Sequence, residues 1–85
     1  MDSPATVPAD VPGRVLWRCR RGMKELDLVL MRYLRMHWSS AGPQERGTFE
    51  RILDLPDPVL AACLVRHQPA PEAGLEALLA RLREI

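Results

Sequence analysis

The chain has almost no net charge, few cysteines and no long apolar run. Its 85 residues carry 12 Lys and Arg against 11 Asp and Glu, a formal charge of +1. That balance argues against generic nucleic-acid binding, which needs a strongly basic face. No segment approaches 18 consecutive apolar residues, so no membrane span is expected. Cys19 and Cys63 stand far apart with no C-x-x-C spacing. With His37 and His67 they make a zinc quartet in number only, so no metal is expected. Two reduced, partly buried thiols are the simpler expectation, with a disulfide as the other reading. There is no repeat, no β-hairpin signal and no nucleophile beside a base. A lone Gly22 cannot cradle a pyrophosphate as G-x-G-x-x-G does. Asp2, Asp10 and the lack of Arg before Arg14 fit neither a signal nor a transit peptide. A bacterial cytoplasmic protein, monomeric and without a cofactor, is the expectation.

What is present is helix pattern and arginine. Eleven of the twelve basic residues are Arg, which a GC-rich coding sequence explains as readily as a physical demand. Charge is uneven along the chain. Arg14 to Trp38 holds seven basic residues and two acids, and Ser39 to Ile85 holds five against seven. The basic half suits a partner with an acidic patch. One domain is the most this length allows. At this size only about 60% of the unfolded surface is buried on folding, so the helices must pack well.

Residues 1–13 carry Pro4, Pro8 and Pro12 among small polar residues and read as a disordered leader. The folded domain is then 14–85. The first helix is expected from Gly13 to Arg21, with Val15, Leu16, Cys19 and Met23 on one apolar stripe. Trp17 falls to one side, as a packed flank residue or at the rim of an interface. The second helix is the centre of the molecule. From Met23, a step of about 100° per residue gathers Leu26, Leu30, Leu34 and His37 on one face. Val29, Met31, Tyr33 and Trp38 widen that stripe beyond what a surface helix needs. Asp27 falls inside the stripe, where a carboxylate needs a partner. It is either paired with a neighbouring Arg or a functional acid.

Gly42 and Pro43 open a third helix, with Phe49, Ile52 and Leu53 facing the core and Pro56 ending it. Gly47 inside it costs about 1 kcal/mol relative to Ala. Asp57 and Pro58 read as N-cap and first residue of a fourth helix bearing Leu60, Cys63, Leu64 and His67 on one face. His67 there reads as an end-of-helix residue. Pro69 and Pro71 break the chain, and Leu75, Leu78, Leu79, Leu82 and Ile85 mark a fifth helix. The fold class is therefore all-α, a compact bundle of about five short helices.

Between the first two helices lies a charged corner. Arg18, Arg20 and Arg21 suit the negative end of one helix dipole, and Glu25 suits the positive end of the next. Gly22 sits where a left-handed residue is wanted. On the far side of the second helix, Glu25, Leu28 and Arg32 form a line beside Arg21. That line could be a binding patch with Leu28 at its apolar centre.

The run Trp17-Arg-Cys-Arg-Arg-Gly-Met-Lys-Glu-Leu-Asp27 resembles the signature of the small succinate dehydrogenase assembly factors that promote covalent flavin attachment. The family's core pattern is Arg-Gly-x-x-Glu, here Arg21, Gly22 and Glu25. The similarity continues through Phe49-Glu-Arg-Ile-Leu, Asp57-Pro58 and Leu60, and covers roughly Arg14 to Arg83. The family commonly has aromatic residues near positions 61 and 63, where this chain has Ala61 and Cys63. The resemblance implies a non-enzymatic factor that docks on the flavoprotein subunit of succinate dehydrogenase, or of the related fumarate reductase. It implies that Arg21 and Glu25 make the central polar contacts and that Gly22 lets two backbones approach. Helix geometry adds Leu28, Arg32 and Arg20 as flanking residues.

Two other classes compete. A helix-turn-helix DNA binder or antitoxin-like regulator fits five helices and a basic first half. No helix, however, offers a row of Arg, Asn and Gln for base edges. A catalyst could draft Glu25, Asp27 and His37, but Glu25 and Asp27 lie about 160° apart on a helix. If Arg21 and Glu25 are exposed, replacing either by Ala changes stability within about 0.5 kcal/mol.

Overall fold

Leu26, Leu30, Tyr33 and Leu34 recur three or four residues apart, and in a helix that spacing puts them on one side. In a computed structural model, which describes residues 7–85, that side is buried and the rest of the chain packs on it. The second helix, α2, spans Lys24–Met36; α1 spans Gly13–Arg18, α3 Pro43–Leu53, α4 Asp57–Val65 and α5 Glu76–Arg83. The described residues contain no strand. Val15 and Cys19, Phe49 and Ile52, Leu60 and Cys63, and Leu75, Leu79 and Leu82 join the α2 face in one core. The all-α expectation holds, with α2 packed against both α4 and α5.

Aromatic contacts tie α2 to α3. The Tyr33 ring stacks on Phe49 at 4.3 Å, and Trp38 meets Phe49 edge-on at 6.1 Å. The Tyr33 hydroxyl donates to Glu45 Oε2 at 2.7 Å. That bond, with Arg81, holds the Glu45 carboxyl below its ordinary range. Arg46 lies over the Trp38 ring at 4.7 Å and donates to the Trp38 carbonyl.

Several expectations need correction. Helix α1 stops at Arg18 rather than Arg21, and α2 stops at Met36 rather than Trp38. Met23 lies outside α2 at its N-cap position and is 37% exposed, so it is not part of the buried stripe. Trp17 is not packed: it is 73% exposed. It stands two residues from the buried Val15, about 160° around a helix with only one face to bury. Asp57 does not cap α4. Pro56 holds the N-cap position without a side-chain bond, and the Asp57 carboxylate is taken by Arg21. His67 lies past the end of α4, exposed, with a left-handed φ of 57°. Gly42 and Pro43 open α3 as expected.

The stretch read as a leader begins outside the described residues, which start at Val7. Within it, Asp10 accepts from Trp38 Nε1 at 3.2 Å and from Arg46 at 2.9 Å, and Val11 packs on the core.

Candidate functional site

Four residues, Cys19 to Gly22, and the N-cap Met23 carry the chain from α1 to α2. A turn this tight leaves backbone N–H groups without helical partners. Asp27 supplies the acceptor. Its Oδ1 accepts from the Arg21 amide at 2.8 Å and its Oδ2 from the Gly22 amide at 3.3 Å. Asp27 is thus neither paired with an Arg side chain nor placed as a free acid. It reaches back from the first turn of α2 and fixes the corner's backbone. Gly22 has φ +80°, the left-handed region that glycine enters without steric cost. A Cβ there would meet nothing in this chain, so the position demands glycine for its backbone and leaves the space above it open.

Arg21 points inward. Its guanidinium donates to the carbonyls of Arg18 and Leu53 at 3.0 Å and of Leu55 at 2.6 Å, and to Asp57 Oδ1 at 2.8 Å. The side chain is 12% exposed. It locks the end of α1 to the link between α3 and α4, using the planar fork that lysine lacks. The condition for a small stability effect is therefore not met at Arg21. Around it, Arg14 and Arg18 pair with Glu50, and Arg18 also pairs with Asp54.

Glu25 points outward. It is exposed, and among the described residues its carboxylate has no hydrogen-bond or ion-pair partner. Arg20 is also exposed, with no partner for its side chain among the described residues. The expected flanking residues Leu28 and Arg32 follow Glu25 at i+3 and i+7 of α2, and so share one side of that helix. Leu28, 43% exposed, shares a shallow depression with Gly22, Lys24 and Met31. Glu25 lines a different one, with Met23 and residues of α4. Arg32 belongs to a third, beside Met36, His37 and Arg81. Gly22 and Leu28 line one depression, and Arg32 stands one helical turn further along α2 from Leu28. Sequence reasoning missed Asp57, whose position before Pro58 signals only a helix start. It also missed Leu53 and Leu55, whose role is carried by carbonyls and has no side-chain signature.

No nucleophile is built here. Burial pushes the Cys19 thiol up to about 12, so it stays protonated in neutral solution. Cys63 is buried and free. No group of three or more potential metal ligands occurs among the described residues.

Fold and corner together place the chain in a class: a small helical bundle whose first two helices are joined by a tightly hydrogen-bonded polar turn. Residues 13–85 match the family described as "Flavinator of succinate dehydrogenase", and the chain belongs to that family. It is similar to the "FAD assembly factor SdhE" of Methylococcus capsulatus, at 47% identity over 73 residues, 86% of this chain and 88% of the relative. It is 38% identical to the protein of the same name from Xylella fastidiosa, over all of this chain and 82% of the relative. The one from Haemophilus ducreyi is 34% identical over 82% of this chain and 85% of its own length. No solved structure matches the chain.

Proposed function

We propose that this chain docks through its α1–α2 corner on the FAD-bearing flavoprotein subunit of succinate dehydrogenase and promotes covalent attachment of the flavin. It acts as an assembly factor and not as a catalyst. The client's own histidine and flavin form the bond, and the factor holds the client in the reactive arrangement, an effect of proximity and orientation. It works as a monomer in the cytoplasm, and fumarate reductase is a second client by the chemistry it shares. No helix of the described residues is long and apolar enough to cross a membrane.

The observation that carries this reading is the unpartnered Glu25 carboxylate on a backbone fixed by Asp27 and Arg21. An exposed carboxylate with no partner in this chain, carried on a helix start that the corner fixes, is what a basic group on a partner would meet. Glu25 and Gly22 make the central contacts, and Arg20 and Leu28 flank them. Arg21 contributes by holding the corner, and Arg32 contacts the client only if the interface extends along α2.

The test is covalent flavin content. The flavoprotein subunit is expressed with this chain, without it, and with Glu25→Ala, and denatured gel bands are read by flavin fluorescence. A band that needs the wild-type chain and fades with Glu25→Ala is the expected outcome. Equal bands in all three lanes would overturn the proposal.

A further inference from the structure

The first turn of α2 meets α4 across a groove of about 290 Å³. Its apolar lining is Met23, Leu26, Pro58, Ala61 and Val65. Leu26 is buried, but Val65 is 55% exposed and Met23 37% exposed. Both are large apolar side chains, and they share the groove with Ala61, whose methyl group fills little of it. The groove also carries two charges of opposite sign, Glu25 from α2 and Arg66 from the end of α4. They do not pair with each other, and among the described residues neither has another ion-pair partner. The volume lies at the lower limit of small-molecule pockets, roughly 300–1,000 Å³. One large side chain suits it better than a free cofactor.

We infer that this groove is the pocket into which the client inserts an apolar side chain, carried on a segment with a basic residue facing Glu25 and an acidic residue facing Arg66. The inference rests on the docking reading above and extends it from the corner to α4. Glu25 belongs to both, so the pocket is continuous with the proposed contact. An apolar anchor in a pocket ringed by polar contacts is the usual arrangement of an energetic hot spot. The two unpaired charges set the direction in which the segment lies, because reversing it would place like charges together. Ala61 is the size-selecting residue: a larger side chain at that position closes the pocket from within.

The test is calorimetric titration of the FAD-loaded flavoprotein subunit with this chain and its variants, each checked for an unchanged unfolding midpoint. Val65→Asp and Arg66→Glu should each weaken binding about tenfold or more. Arg66→Lys, which keeps the charge, should restore most of it. Met36→Ser is the control, because Met36 is exposed on α2 about 16 Å along the helix from Glu25; its affinity should equal that of the wild type. Wild-type affinity in both groove variants, or an equal loss in Met36→Ser, would overturn the groove while leaving the docking reading intact. Failure of the wild-type chain to bind the subunit would overturn both.

Discussion

Two arginines do the same work at two joints of this molecule. At the α1–α2 corner, Arg21 bonds three carbonyls and Asp57. At the link between α4 and α5, Arg83 bonds the carbonyls of Cys63 and Gln68 and the carboxylate of Glu76. Their side chains are 12% and 14% exposed. Both joints use the left-handed region, at Gly22 in the corner and at His67 and Gly74 in the link. The difference lies in what remains over. At the link the carboxylate beside the arginine is used: Glu76 holds both Arg83 and the Ala70 amide. At the corner a second carboxylate, Glu25, is exposed with no partner among the described residues. The comparison teaches that an arginine in a short signature need not be the group that meets a partner. One joint ties up the carboxylate beside its arginine, and the other leaves the Glu25 carboxylate without a partner among the described residues.

Removing the second arginine tests the parallel with the largest expected effect. Arg83→Ala should cost about 2 kcal/mol, because it unties the Cys63 and Gln68 carbonyls at the link. At equal concentrations of folded protein, the variant should still support covalent flavin attachment. Loss of that support would mean the link also belongs to the site.

Gly22 and His67, a glycine and a non-glycine in the same left-handed region, should respond in opposite directions. Gly22→Ala should lose about 1–2 kcal/mol for its backbone alone, since no atom of this chain opposes the new Cβ. His67→Gly should gain up to about 1 kcal/mol by relieving the same conformation. Thermal unfolding of both variants checks the pair, and a gain at Gly22→Ala would break the comparison.

The smallest effect is a pH dependence of the link. The Ala70 amide and then Arg83 hold the Glu76 carboxyl below its ordinary value of 4.5. A lowered folded-state value contributes stability that is present above pH 4.5 and is lost as pH falls through that lowered value. Glu76→Gln should therefore flatten the decline of unfolding free energy as pH falls below 4.5. An unchanged decline would show that Glu76 is not held at the link.

Much of the fold was legible because helix periodicity is a local property. The stripe of Leu26, Leu30 and Leu34 and the Pro43 start needed only spacing and stereochemistry. The signature run was legible as a unit, and its Gly22 was correctly read as left-handed. The division of roles inside the run was not. Arg21 and Glu25 are both charged and four residues apart, and nothing local says which turns inward. The deciding groups, the Leu53 and Leu55 carbonyls and Asp57, lie more than 30 residues away. Helix α1 was overextended for the same reason: the sequence favours helix through Arg21, but Asp27 captures the Arg21 and Gly22 amides for a turn. The surplus of arginine, which composition alone left open, has a physical use at Arg21, Arg46 and Arg83, each bonding carbonyls at helix ends or links.

The most direct test of this division is urea unfolding of Arg21→Ala beside Glu25→Ala. Arg21→Ala should lose about 2–3 kcal/mol, because it strands three carbonyls and Asp57. Glu25→Ala should stay within about 0.5 kcal/mol of the wild type, as an exposed residue without a partner does. A wild-type midpoint for Arg21→Ala, or a loss at Glu25→Ala as large as that at Arg21→Ala, would contradict the account.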